Sequence, residues 1–436
     1  MMSSLTLSPL FHGTDKHRLE CGATLWHVPL AQTPRIALLL ALPGGNTLDP
    51  LPGSADMIDN LLIQGTETKD AEAIALAIDS LSLELSISTR RDATWIHATF
   101  LPEDTQASLS LIAELFLFST LEDLAREREK VRGEIQMSLD TPQAVAADLM
   151  SKTLFADTPY GFSESVLLES LDSLTLTGLQ KHYRSVYRPD RLVGCVAGDI
   201  DLASFTQQFE EAFGAEDTFR IAAGTSTATG IRLNQMHLKE PQVVRATFNE
   251  AAQVHVYQSW LMPEATHPDT VALSVLNTIL GGAGLSSRLF VELRDKQGLA
   301  YSVRSRLTSQ KYRGSFSLYI GTDPSKLSKA LHGFKAQLER LIHEPVSPQE
   351  LAEAQRNMMG RRHIGLETAS QQASAVLSNV LLGRDMTYLQ QYDARIQAVT
   401  AHDLQRVAQK YLTQPSVLSL AGPEAVIQDV SVLPIV

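Results

Sequence analysis

The chain has 436 residues, 44% of them hydrophobic and 20% charged, with a formal net charge of −12. That length fits two domains of roughly 200 residues each with sizeable cores. The acidic balance, with no basic run, excludes a phosphate-backbone partner, which needs clustered Lys and Arg.

In chain order, the first twenty residues carry Asp15, Lys16 and Arg18 and lack a basic segment followed by an apolar one. They do not read as a signal peptide, and no apolar run reaches the ~18 residues of a membrane span. The expected location is therefore cytoplasmic, with no membrane partner. Leu42-Pro-Gly-Gly-Asn-Thr47 ends a strand, and Gly53-Ser-Ala55 opens a helix. Leu83, Leu85 and Ile87 alternate with polar residues; the turn Thr89–Asp92 follows, and Trp95–Leu101 returns as a second strand. Leu109, Ile112, Leu115 and Phe116 then fall at helical spacing. A helix over Ser173–Tyr183 precedes Arg188-Pro-Asp and a short apolar strand ending at Gly198. The small, polar stretch Ala222–Gly230 is a linker by composition.

The second half repeats this order. A helix over Val271–Leu280 ends in glycines at 281, 282 and 284. Tyr301–Leu307 and Gly314–Ile320 form a period-two hairpin, and Leu327, Leu331, Phe334, Leu338 and Leu341 mark a helix. Ala398–Tyr411 is again a helix, followed by Gln414-Pro and a strand ending at Gly422. The offset of about 225 residues is too long for a solenoid period and indicates a duplicated domain. The expected class is α+β: two homologous domains, 1–225 and 241–436, joined by a linker at 226–240, each with an antiparallel-rich mixed sheet and packed helices.

Cys21 and Cys195 have neither CxxC nor zinc-ligand spacing, and read as idle or buried thiols. The glycines at 281–284 are followed by no Gly-Lys-Ser/Thr and do not form a phosphate loop. His97, His255 and His363 sit singly in strand or helix patterns, where structural roles are commoner than ligation.

The stretch Leu280-Gly-Gly-Ala-Gly-Leu-Ser-Ser-Arg-Leu-Phe290, with Glu292-Leu-Arg-Asp-Lys-Gln-Gly-Leu-Ala-Tyr-Ser-Val303, closely resembles the second domain of the pitrilysin, insulinase and mitochondrial processing peptidase family. The resemblance covers nearly the whole chain and implies half of a clamshell chamber. In that family the first domain carries His-x-x-Glu-His on a helix: the two His bind zinc, the Glu between them is general base, and a Glu on a later helix is the third ligand. Here the matching positions are Asp56-Met57-Ile58-Asp59-Asn60, so both His are gone and the base is the shorter Asp59. The later helix keeps Glu134, with Glu127 seven residues before it. None of the twelve His lies four from another, so the motif has not moved elsewhere. Asp56, Asp59, Asn60 and Glu134 leave two readings open, an oxygen-rich site for a harder cation or a hydrogen-bonded remnant, and the second is favoured.

Family members also use an Arg and a Tyr seven residues apart, and Arg294 and Tyr301 match them. A phenol near the scissile carbonyl oxygen stabilises developing negative charge, and an Arg orients the substrate backbone. The resemblance thus implies the non-zinc-binding subunit of a heterodimeric metalloendopeptidase. Such a chain holds no cofactor of its own and is inactive alone. Its expected partners are a homologous zinc-bearing subunit and a peptide substrate. The alternative is a catalytically inactive structural or peptide-binding subunit, or a homodimer.

Overall fold

The computed structural model describes residues 11–214 and 236–431. The first ten residues and the glycine-bearing stretch at 222–230 lie outside the described residues. The fold is mixed α+β with two sheets.

The first sheet is built from β1 (Asp15–Arg18), β2 (Thr24–Pro29), β3 (Ile36–Pro43), β4 (Glu84–Thr89), β5 (Ala93–Phe100) and β6 (Val193–Gly198), in the order β1-β2-β6-β3-β5-β4. The second comprises β7 (Gln242–Thr247), β8 (Val254–Met262), β9 (Ala300–Thr308), β10 (Gly314–Thr322) and β11 (Val417–Gly422), in the order β7-β11-β8-β10-β9. Apart from β1 the two orders correspond strand for strand. Each holds one parallel pair, β2 with β6 and β7 with β11, and every other pairing is antiparallel. The duplication heard in the sequence is therefore a duplication of topology. In both sheets a hairpin, β4–β5 or β9–β10, supplies the outermost strand.

Sequence pattern explains the placement. β3 is Ile-Ala-Leu-Leu-Leu-Ala-Leu before its Pro43, buried along nearly its whole length, as a central strand covered on both faces must be. β4 alternates exposed and half-buried residues, as an edge strand should. Helix starts are set by side-chain caps. Thr175 Oγ1 accepts from Gly178 N, and Thr368 and Thr400 close capping boxes with Gln371 and Asp403. Each such cap stabilises its helix by about 1 kcal/mol.

The chain divides into two compact units. The first draws its described residues from Met1–Arg132, Glu169–Gly230 and Ile364–Gln390; the second from Gly133–Leu168, Ile231–His363 and Gln391–Val436. A helix from late in the chain, Ala369–Leu381, lies on β3 and β6, where Ala373, Val376 and Leu377 join Leu39, Trp95, Cys195 and Ala197 in one core. A helix from early in the chain, Pro142–Leu154, lies on β8 and β11, and Leu154 shares a core with Phe155, Tyr160, Leu261 and Val417. Burying an aliphatic side chain of this size stabilises by roughly 1.5–3 kcal/mol, so each exchanged helix is a substantial part of the unit that receives it. Both cysteines are free thiols, Cys195 buried in the first core.

Candidate functional site

The first candidate region begins where β3 runs out. Gly44 and Gly45 adopt φ of 125° and 46°, and a Cβ on Gly45 would stand 2.0 Å from the carbonyl oxygen of Arg90, so only glycine fits. The tight turn pins the loop to the β4–β5 turn through Gly44 N to Asp92 O (2.7 Å) and Asn46 N to Arg90 O (3.1 Å). Gly53, at φ 84°, then opens the helix Ser54–Leu61, which carries Asp56, Asp59 and Asn60.

These residues are engaged with the protein itself. Asn46 Nδ2 donates to Asp56 Oδ2 at 2.7 Å and to Asp49 Oδ2 at 3.3 Å. Asp49 Oδ1 accepts from Ala55 N at 2.9 Å, anchoring the helix start. Tyr187, buried against Phe116 and Tyr183, donates its hydroxyl to Asp59 Oδ1 at 2.8 Å. Asp59 is only 6% exposed, and burial pushes its carboxyl up to about 7, with hydrogen bonds from Thr89 and Tyr187 opposing the rise. Burial likewise raises Asp56, against the Asn46 hydrogen bond and the charge of Arg91. It raises Asp49 well above the carboxylate range, helped by the negative charge of Asp56. His182 Nε2 stands 3.7 Å from Asp49 Oδ1, but burial pushes the imidazole down to about 4, so it is neutral at pH 7. Asn60 is half-buried and accepts from Gln64 Nε2 through its backbone oxygen.

The helix Leu124–Leu139 carries Glu127 and Glu134. Glu127 is buried, and Lys130 Nζ donates to its Oε1 at 2.6 Å. Glu134 is exposed and belongs to the second unit, whereas Asp56, Asp59, Asn60 and Glu127 belong to the first. Among the described residues no group of three or more His, Cys, Asp or Glu is placed to hold a metal. The chemistry of the donors agrees. A zinc site wants histidine nitrogen or cysteine sulfur beside its carboxylate, and here one carboxylate is tied to an amide and another to a phenol. Zinc does not fit these positions, where Asp56 is hydrogen-bonded to Asn46 and Asp59 to Tyr187 within the protein. Asn46, Asp49, His182 and Tyr187, which surround these acids, were not singled out by the sequence; polar residues in a strand-to-helix loop could have marked Asn46 and Asp49, whereas nothing local marks His182 and Tyr187.

The second candidate region is built on irregular helix. Thr270–Asn277 continues into a π-helical turn at Thr278–Gly282. A Cβ on Gly281 would stand 2.3 Å from Ser305 N, which explains the glycine: the turn presses on β9. The next segment is clamped at two points. Arg288 donates from Nε and Nη2 to both oxygens of Glu350 at 2.7 Å each, and Arg361 Nη1 donates to Gly282 O at 3.2 Å. A second π-helical turn, Phe290–Asp295, carries Arg294. Leu293 beside it is fully buried against Gly333, where a Cβ would crowd it at 3.0 Å. Gly298, at φ 59°, ends the turn by donating its N–H to Arg294 O at 2.9 Å.

β9 then opens with a bulge. Ser302 pairs with Gly321 while Ala300 pairs with Thr322, leaving Tyr301 as the extra residue. A bulge re-aims a side chain, and Tyr301 is 80% exposed. Its ring meets Arg294: the guanidinium carbon lies 5.1 Å from the Tyr301 ring centroid and 4.6 Å from that of Phe290. Arg294 has no carboxylate partner among the described residues, so two aromatic faces hold the cation while its N–H donors stay unspent. The structure thus brings Arg294 and Tyr301 together, and adds Phe290, which the sequence did not mark.

Comparison with known proteins matches the model of the peptidase M16 inactive domain to residues 173–358 and that of insulinase, peptidase family M16, to residues 32–164. The uncharacterized zinc protease YmxG of Bacillus subtilis is 28% identical over 401 residues, spanning 91% of this chain and 94% of that protein. The mitochondrial-processing peptidase subunit beta of Pongo abelii is 25% identical over 388 residues, 85% of this chain and 76% of that one. Among solved structures, a peptidase M16 inactive domain from Pseudomonas fluorescens superposes with a TM-score of 0.83 at 22% identity, covering 94% of this chain and 98% of the other. A protease from Helicobacter pylori gives the same TM-score at 21% identity, covering 94% and 99%.

Proposed function

Because this chain belongs to the M16 (insulinase) family of peptidases, we propose that it is the non-zinc-binding subunit of a heterodimeric metalloendopeptidase, gripping substrate for a homologous zinc-bearing partner. The observation that carries this is the contrast within the chain. The acids at the positions where the family binds zinc are engaged by Asn46 and Tyr187, while a half-buried Arg294 and an exposed Tyr301 sit together with their hydrogen-bonding groups uncommitted.

In this reading the partner supplies the zinc chemistry, and this chain supplies two groups. Arg294, steadied by the rings of Phe290 and Tyr301, donates to a carbonyl of the peptide backbone and fixes its orientation. Tyr301 donates its phenolic proton in a hydrogen bond to the carbonyl oxygen as negative charge grows there. Because the bulge fixes where the phenol points, little reorganisation is needed at the moment of reaction.

The test is reconstitution with a homologous chain that carries an intact His-x-x-Glu-His. Alone, this chain is expected to bind no zinc and cleave no peptide. In the mixture, Tyr301→Phe is expected to lower kcat by about 10²–10³ with little change in KM, the effect of removing one oxyanion donor. Unchanged kcat/KM for Tyr301→Phe and Arg294→Ala would remove the assigned roles. A stable assembly without activity would favour a structural or peptide-binding subunit instead.

A further inference from the structure

β9 is the outermost strand of the second sheet, with β10 on one side only. Its side chains alternate between two faces. Val303 and Ser305 are buried on the helical side, where Ser305 Oγ donates to Asn277 O at 3.1 Å. Arg304 and Arg306 stand on the opposite face, both exposed.

Arg304 is not a loose surface cation. Its guanidinium lies 4.3 Å from the ring centroid of Tyr319, directly across the ladder on β10, and Nη1 donates to Ser302 Oγ at 3.4 Å. Tyr319 is itself fixed, buried beside Tyr257 at 4.8 Å between ring centroids and bonded through its hydroxyl to His255 Nδ1 at 3.0 Å. The charge therefore rests on a rigid aromatic base, which lowers the ordering cost of binding an anion.

Neither Arg304 nor Arg306 meets a carboxylate within ion-pair distance among the described residues. Other arginines of this unit do: Arg288 pairs with Glu350, Arg362 with Asp393 and Arg406 with Asp269. In a chain of net charge −12, two unpaired cations on one strand face are a local exception that attracts a negative ligand. The spacing narrows the ligand. Residues two apart on a strand lie about 6.7 Å apart, the same interval as side chains two apart in an extended peptide. The corresponding edge strand of the first sheet, β4, presents Glu84, Ser86 and Ser88 on its exposed face and carries no such cations.

We propose that the open face of β9 is a docking surface for an extended peptide segment bearing two carboxylates two residues apart, one received by Arg304 and the other by Arg306. This names a substrate class for the same peptide-gripping unit and rests on that reading, but its test needs neither a partner nor cleavage.

The experiment is fluorescence anisotropy of short labelled peptides with the full chain at low salt. One peptide carries Glu-x-Glu in a Ser/Thr/Val background, one carries the two Glu side by side so that they face opposite ways, and one replaces both with Gln. The Glu-x-Glu peptide is expected to bind about tenfold tighter than the Gln peptide and also tighter than the adjacent-Glu peptide. The advantage should vanish near 1 M NaCl, where the screening length is about 3 Å. Arg304→Glu with Arg306→Glu should abolish it and favour a Lys-x-Lys peptide, with the melting temperature showing that the chain still folds. Equal binding of the three peptides, or an undiminished Glu-x-Glu preference in the double variant, overturns the proposal. Intact preference with no cleavage in the reconstituted pair would count against the peptidase reading alone; lost preference with intact cleavage would count against this one alone.

Discussion

The two sheets share a topology, and each places a buried aspartate in the loop between its central strand and the following helix: Asp49 after β3 and Asp269 after β8. Their surroundings are opposite. Asp269 receives Arg406 Nη2 at 2.7 Å, Lys410 Nζ at 2.9 Å and the Tyr411 hydroxyl at 2.8 Å, all from the helix Ala401–Tyr411. Burial would raise its carboxyl, but these bonds win and hold it well below the usual range. Asp49 faces the corresponding helix, Leu176–Val186, and meets only a neutral His182 there, with Asn46 and backbone N–H groups as its donors. In the second unit the acid is an ionic clamp. In the first it belongs to a network of three acids, Asp49, Asp56 and Asp59, that burial drives toward the neutral form. One fold position is thus held by charge in one copy and by amide donors in the other.

The most severe way to break this comparison is to neutralise both acids alike. Asp269→Asn leaves two half-exposed cations aimed at an amide and is expected to cost about 2 kcal/mol of unfolding free energy at pH 7, the range for losing charge-assisted hydrogen bonds that solvent partly screens. Asp49→Asn keeps an oxygen for Ala55 N and is expected to cost less than about 1 kcal/mol. Urea unfolding of the two variants checks this. Equal losses would mean that Asp49 also works as a charge.

The sign of the pH dependence sharpens the contrast. Asp59 is raised on folding, to about 7 from an unfolded value near 4, so its burden is absent at low pH and grows as pH rises through that window. Asp269 is depressed, so its contribution is full above an unfolded value near 4 and is lost as pH falls toward the folded one. Asp59→Asn retains an acceptor for the Tyr187 hydroxyl and cannot ionise. It is expected to raise stability at pH 8 by about 2 kcal/mol, below the ceiling of roughly 4 set by the shift, and to have little effect at pH 4. Thermal melts at both pH values decide it; a loss of stability at pH 8 would show that Asp59 is needed as an anion.

Half of this comparison was legible in the sequence and half was not. The hairpins and helices of each copy follow local periodicities, so the duplication and the register of Asp56, Asp59 and Asn60 on one helix could be read directly. The partners could not: Tyr187 reaches Asp59 across 128 residues, and Arg406 reaches Asp269 from the far end of the same unit. The helices Pro142–Leu154 and Ala369–Leu381 show the same limit, because an apolar face announces that it will be buried without saying on which sheet. The bulge at Tyr301 and the π-helical turn of Arg294 are single insertions with no periodic trace. The pair itself was visible only through the family string around it.

The smallest expected effect on stability belongs to that pair, and it separates fold from function in the second unit. The acid of the clamp, Asp269, is buried, whereas Tyr301 is 80% exposed and Arg294 touches only the faces of two rings. Removing the phenol oxygen with Tyr301→Phe deletes no hydrogen bond to the described residues of the protein and keeps the ring beneath the guanidinium. Its unfolding free energy is expected to stay within about 0.5 kcal/mol of the parent. Arg294→Ala loses two cation–ring contacts at a partly exposed site and is expected to cost about 1 kcal/mol. If either variant destabilises the chain as much as Asp269→Asn, the pair is part of the scaffold, and loss of activity in a reconstituted enzyme would say nothing about the reacting carbonyl. If both stay folded while only the hydroxyl-dependent step slows, the second unit keeps its ionic clamp for the fold and leaves Arg294 and Tyr301 free for substrate.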